Sequence, residues 1–198
     1  MDERQLIARA QSGDFEAFTD LINAHKDKVY ALARRLAGNN EDAEDIIQET
    51  FLKAIDNIDK FRGDASFGTW LYSIALNQSR AHYAKEKQME LRPIEEYLPS
   101  GDHSDSERHA KLFDWQDPHT MLEASELRSI IEEGLAELPH IYREAFLLRY
   151  QNDLSVKEVA ELIGESEAAT KSRILRARLA LRDYLSEKFE GVYGPQVS

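Results

Sequence analysis

The sequence predicts an all-α protein built from two small helical domains joined by an irregular linker. Three observations point there. Apolar residues recur at helical spacing along most of the chain. No alternating stretch is long enough to claim a strand. Three of the five prolines, Pro93, Pro99 and Pro118, fall within residues 91–119, and a structureless connection of that length inside one domain is unusual. The chain therefore divides into a first domain at 1–90, a linker at 91–119, a second domain at 120–190 and a tail at 191–198.

An opening helix over residues 2–11 ends at Ser12-Gly13. Phe18, Ile22, Val29, Ala33 and Leu36 trace the apolar face of a long helix, which Gly38 stops. After Asn39-Asn40, a second face carries Ile47, Phe51, Ala54, Ile55 and Ile58. The Arg62-Gly63-Asp64 turn precedes a third face opened by Phe67, Leu71, Ile74 and Ala75. The linker is not purely polar. Its Ile94, Tyr97, Leu98, Phe113 and Trp115 either cap the domain edges or dock in a partner's channel. Helices resume near Thr120 and run to Leu138, and Pro139 separates them from a further helix over residues 140–151.

Two shorter elements come next. Leu154-Ser155-Val156-Lys157-Glu158 opens with a capping box, in which Ser155 and Glu158 each satisfy the other's backbone amide. That helix carries Val159, Ala160, Leu162 and Ile163 and meets Gly164; Glu165-Ser166 turns the chain, and Ser166 can cap the next helix. Two helices around a tight glycine turn, with small Ala160 at their closest approach, form the helix-turn-helix pattern. On the second helix Ile174, Ala177, Leu181 and Leu185 face inward, while Thr170–Arg182 holds five cations and no acid. Small Ala168, Ala169 and Ser172 at its start, succeeded by long cations, suit a helix entering a major groove past flanking phosphates. An ordinary amphipathic helix with a solvated basic face is the competing reading.

Two constellations stand out in the first domain. Asp45, Gln48, Glu49, Leu52 and Asp56 share one stripe opposite the apolar face. Acids and an amide around one leucine make a poor DNA surface and a reasonable protein-docking one, although a solvated face carries the same pattern. Between Phe61 and Trp70, aromatics surround a glycine-flexed polar loop, and Thr69, Ser73, Asn77 and Arg80 then share a polar helix face. Aromatics stack on unpaired bases, and an amide with a cation can read a base edge and hold phosphate. Phe67 and Trp70 are equally compatible with a core role.

Bulk properties exclude several classes. Without cysteine there is no disulfide framework and no thiolate zinc site, which fits a reducing cytosol. Met1-Asp2-Glu3-Arg4 is charged at once, and no apolar run approaches the roughly 18 residues of a membrane span, so a cytoplasmic protein without membrane insertion is expected. No Gly-rich phosphate loop or Cys nucleophile is present. Glu137-Leu138-Pro139-His140 has the spacing of a di-iron half-motif, but Pro139 interrupts it and its companions are missing. His103, His109 and His119 are irregularly spaced. Neither an enzyme, a metal site nor a cofactor is expected. The net charge of −12 opposes autonomous DNA binding, because a uniformly acidic surface repels phosphate. A local basic patch delivered to DNA by a larger partner resolves the conflict.

Together these residues resemble the extracytoplasmic-function sigma factors of the sigma-70 family. The run from Asp42 to Phe51 and the run from Phe61 through Trp70 to Asn77 look like conserved region 2. Leu138-Pro139, Tyr142-Arg143-Glu144-Ala145 and Ser166–Arg182 look like region 4. The resemblance implies that Asp45, Gln48, Glu49 and Leu52 dock on the clamp helices of the β′ subunit of core RNA polymerase, with the second domain near the β flap. It implies that Arg62, Ser66, Phe67, Trp70, Asn77 and Arg80 open the minus-10 element of promoter DNA. It implies that Lys157, Ser166, Lys171, Ser172, Arg173, Leu175, Arg176 and Arg178 read the minus-35 element. The linker would thread the polymerase channels, and an anti-sigma factor would hold the protein inactive. One departure is visible: the family usually has Thr-Val where this chain has Ala169-Thr170, which puts minus-35 preference in doubt. An autonomous helix-turn-helix regulator is the alternative, and it leaves the region 2 motifs unexplained.

Overall fold

In the computed structural model residues 2–87 and 121–193 are described, and they form eight α-helices with one 3-10 turn. The linker, with its apolar residues and with His103, His109 and His119, lies outside the described residues. The first helical group comprises α1 (Glu3–Gln11), α2 (Phe15–Ala37), α3 (Asn40–Asn57), the 3-10 turn Ile58–Lys60 and α4 (Phe67–Lys87). The second comprises α5 (Met121–Glu137), α6 (His140–Tyr150), α7 (Val156–Ile163) and α8 (Glu167–Tyr193).

Local chemistry sets the boundaries. Asp14 caps α2 by accepting from the Ala17 amide at 3.1 Å, and Asn39 caps α3 by accepting from Asp42 at 2.9 Å. Gly38 ends α2 with φ at +84°, a conformation that costs a residue with a Cβ far more than glycine. Helices α2, α3 and α4 pack mutually, with α1 against α2. The deepest line of α3 is Ala43, Ile46, Thr50 and Ala54; of the face that the sequence suggests, Ala54 and Ile58 are buried, while Ile47, Phe51 and Ile55 are half-buried at its edge. Two of these residues are alanines, whose short side chains let α3 lie close against its neighbours α2 and α4. The Thr50 hydroxyl donates to the Ile46 carbonyl at 2.6 Å, so its full burial leaves no orphan donor.

In the second group α8 packs against α5, α6 and α7. Gly134 is the point of closest approach: a Cβ there would lie 2.7 Å from Leu181 Cδ1 and 2.8 Å from the Tyr184 ring. Gly134→Val is therefore expected to destabilise this group by roughly 1–3 kcal/mol through overpacking, read as a lower thermal midpoint by circular dichroism. An unchanged midpoint would show that α5 and α8 separate without cost.

Although the sequence divides the chain, buried apolar residues of both groups form one continuous cluster. The end of α2 packs against α5 and α6, joining Leu36 to Leu135 and Leu138 in that cluster.

Candidate functional site

Three surfaces carry the candidate residues. On α3, Asp45, Gln48, Glu49, Leu52 and Asp56 are all exposed, opposite the buried Ile46–Thr50 line. Leu52 is 57% exposed. A leucine so placed on a rigid helix, rimmed by an amide and carboxylates, is a ready apolar anchor for a partner helix.

The second surface is the loop between the 3-10 turn and α4. Gln11 of α1 pins it, donating to the Phe61 carbonyl at 2.8 Å and the Ile58 carbonyl at 3.1 Å. Gly63 adopts φ of +77°, which lets the chain reverse before Ser66 starts the next helix. Ser66 caps α4 by accepting from the Thr69 amide at 3.0 Å, so its hydroxyl is already committed. Beneath the loop, Phe61, Phe67 and Trp70 form an aromatic cluster with centroids 5.3–5.7 Å apart. Phe67 is fully enclosed. It therefore holds the loop up from below, and does not reach outward as the minus-10 assignment requires. Trp70 is half-buried and lines a cleft of about 260 Å³ with Arg62, Gly63, Asp64 and Ser73. That volume admits a single planar heterocycle. Leu162 of α7, from the other helical group, also lines it.

Asn77 is exposed farther along α4. Arg80, expected to face DNA, instead donates from Nε and Nη2 to the two carboxylate oxygens of Glu144 at 2.8 and 2.7 Å. Only 2% of the Glu144 side chain is exposed. His140 Nδ1 lies 3.0 Å from the same carboxylate, and its Nε2 lies 3.0 Å from Ser79 Oγ. Tyr83 stacks on the imidazole at 4.5 Å. Burial alone would push the Glu144 carboxyl up; the hydrogen bonds and charge of Arg80 and His140 overcome it and hold the group below its ordinary value. The Glu144 hydrogen bond raises Arg80 correspondingly. Nearby, Arg35 makes a bidentate bridge to Glu132 and donates to Gln151 at 2.7 Å. Arg143 donates to the Leu36 carbonyl at the end of α2. This polar seam between the groups was not foreseen from the sequence. Its one legible signal is Glu144 itself, an acid three and four residues ahead of the wholly buried Leu147 and Leu148.

The third surface is the helix-turn-helix of α7 and α8. Both halves of the Ser155–Glu158 capping box are present, and the Ser155 bonds hold the Glu158 carboxyl below its usual range. Gly164 turns the chain at φ of +73°, and Ser166 caps α8 by accepting from the Ala169 amide at 3.2 Å. Ala160 is buried at the crossing of the two helices, and Ile174, Ala177 and Leu181 face the core. Lys171, Ser172, Leu175, Arg176 and Arg178 are exposed, and their spacing puts them on one side of α8. Arg176 Nη1 donates to the Tyr142 hydroxyl at 3.3 Å, which holds one edge of its guanidinium in place. Arg173 differs from expectation: it is half-buried and ion-paired with Glu165 across the turn. Lys157 is exposed and only loosely paired with Glu161. Thr170 is fully buried and donates its hydroxyl to the Ser166 carbonyl at 3.0 Å, so the departure at this position leaves the packing intact.

Among the described residues no group of three or more metal-binding side chains converges, and no helix is long and apolar enough to cross a membrane. The family model for Sigma-70 region 2 matches residues 21–88, and that for Sigma-70, region 4 matches residues 128–181. The chain is 35% identical over 187 residues to the ECF RNA polymerase sigma factor SigW of Bacillus subtilis, covering 93% of this chain and 97% of that one. It is 33% identical over 178 residues to the ECF RNA polymerase sigma-E factor of Haemophilus influenzae, covering 90% and 92%. Among solved structures, CnrH in complex with the cytosolic domain of CnrY superposes with a TM-score of 0.66 at 27% identity, covering 94% of this chain and 99% of that one. The sigma factor RpoE of Bartonella quintana, solved with the anti-sigma factor NepR, shares the fold with a TM-score of 0.61 at 22% identity, over 85% and 96%.

Proposed function

Because the chain belongs to the extracytoplasmic-function sigma factors of the sigma-70 family, we propose that it binds core RNA polymerase and directs initiation at a specific set of promoters. It acts by binding, without catalysis of its own, and works in the cytoplasm where polymerase and DNA are. The observation that carries this reading is the pairing, in one chain, of an exposed docking stripe around Leu52 with a helix-turn-helix whose second helix presents Lys171, Arg176 and Arg178.

Each surface then has a task. Asp45, Gln48, Glu49 and Leu52 meet the β′ clamp helices, and the second helical group sits near the β flap. The cleft beside Trp70, with Arg62 at its rim and Asn77 and Arg80 beyond, receives an unstacked base of the minus-10 strand and its phosphates. On α8, Lys171 and Arg178 track phosphates, while Ser172, Leu175 and Arg176 approach base edges of the minus-35 duplex. The acidity of the chain supports this division. With a net charge of −12, free protein has little nonspecific affinity for DNA, and polymerase supplies the rest. CnrH was captured with the cytosolic domain of CnrY, and a protein partner, an anti-sigma factor, is the inhibitor proposed for this chain.

Run-off transcription with bacterial core polymerase tests the reading, using a genomic promoter library as template. Transcripts starting at a common promoter class are expected only when the chain is added. Specific duplex binding by the chain alone, with no transcripts and no association with core, would instead identify an autonomous regulator.

A further inference from the structure

The polar seam between the two helical groups has a consequence for promoter binding. The elements called minus-10 and minus-35 lie roughly 25 base pairs apart, or roughly 85 Å of duplex at 3.4 Å per base pair. In the structure, by contrast, α4 and α6 are joined by hydrogen bonds of 2.7–3.0 Å, and Leu162 of the helix-turn-helix lines the cleft of the strand-opening loop. One chain cannot engage both elements in this arrangement. The groups must part, and what must break is specific.

We propose that Glu144 is an internal competitor for DNA: its carboxylate occupies the Arg80 guanidinium as a phosphate would, and so clasps the two helical groups shut. The inference rests on Arg80 being a promoter-contacting side chain. A guanidinium offers two parallel N–H donors, and carboxylate and phosphate present matching oxygen pairs to them. Glu144 uses both, at 2.8 and 2.7 Å. His140 fixes the carboxylate from its own helix, Ser79 fixes His140 from α4, and Tyr83 covers the ring. Because the Glu144 side chain is only 2% exposed, withdrawing Arg80 while the groups stay together would strip a buried anion of its bidentate partner and leave it His140 alone. Release of Arg80 and separation of the groups are therefore one event. Arg35–Glu132 and Arg143 to the Leu36 carbonyl straddle the same seam and close with it.

The test reads distance and binding together. The chain has no cysteine, so Asn23→Cys and Ser186→Cys, both at exposed positions, accept a donor and acceptor dye in the two groups. Wild type is expected to give high energy transfer, and Glu144→Gln to lower it. The open-to-closed ratio should rise about tenfold, a buried-pair effect discounted because 36% of the Arg80 side chain is exposed. Affinity for single-stranded oligodeoxythymidine should rise several-fold in Glu144→Gln. It should stay at the wild-type level in the exposed charge control Glu187→Gln, and the gain should vanish when Arg80→Ala is added. Unchanged energy transfer overturns the proposal, and so does a binding gain that persists without Arg80. Should Glu144→Gln lose helicity, Arg80→Ala breaks the same pair from its half-buried side; no drop in transfer there overturns the clasp. Failure of wild type to direct run-off transcription, with closure intact, would count against the sigma-factor reading and not against the clasp.

Discussion

Replacing Gln48 and Glu49 together by alanine is expected to weaken binding to core RNA polymerase by about tenfold to a hundredfold, the range for truncating central interface residues. Both side chains are exposed on α3, beside the 57% exposed Leu52. Alanine is the strongest helix former, and the buried line of the helix, Ala43, Ile46, Thr50 and Ala54, is untouched. The loss should therefore appear in holoenzyme assembly with no change in helicity or melting. Competition against labelled wild-type protein for core polymerase measures it directly. Equal competition by the double variant would remove the docking assignment.

Arg176→Ala is expected to have the second large effect, weakening minus-35 recognition by roughly tenfold to a hundredfold, the worth of one well-placed base contact. Lys171→Ala, at a phosphate-tracking position, should lower affinity evenly across upstream sequences and flatten the salt dependence. The contrast is the informative measurement. Holoenzyme carrying each variant is assayed on promoters differing only in the upstream element. If Arg176→Ala lowered all of them equally, that side chain would be a phosphate contact, and sequence readout would pass to Ser172 and Leu175. Arg176 is well suited to the discriminating role because its bond to the Tyr142 hydroxyl limits the freedom lost on binding.

Much of this was legible in the sequence, and the reasons are physical. Caps and breakers act locally, so Gly38, Asn39, Ser155, Glu158, Gly164 and Ser166 mark the helix ends where the structure has them. Exposure of the α3 stripe and of Lys171, Arg176 and Arg178 on α8 stems from helical period alone. Burial depth was less legible, since it depends on which neighbour lies closest. On α3 the periodicity finds Ala54 and Ile58 but not Ala43, Ile46 and Thr50, and Phe67, equally plausible as loop or core, is core. Least legible was anything formed between distant segments. Arg80 and Glu144 are separated by 64 positions, and no local rule pairs them; Arg173 and Glu165 meet only because the turn folds one back on the other.

Arg143 joins two jobs in one guanidinium. It donates to the Leu138 carbonyl at 2.9 Å and to the Ala136 carbonyl, tying the end of α5 to the start of α6, and to the Leu36 carbonyl at 3.2 Å, at the end of α2. Its burial lowers the guanidinium from its ordinary value, a cost that these carbonyls offset in part and only while all are in place. Fraying of the short bend at residues 136–139 therefore also strips the terminal turn of α2 of its donor. A purely local injury in one half of the molecule is felt at once in the other, with no through-core displacement required to carry the message.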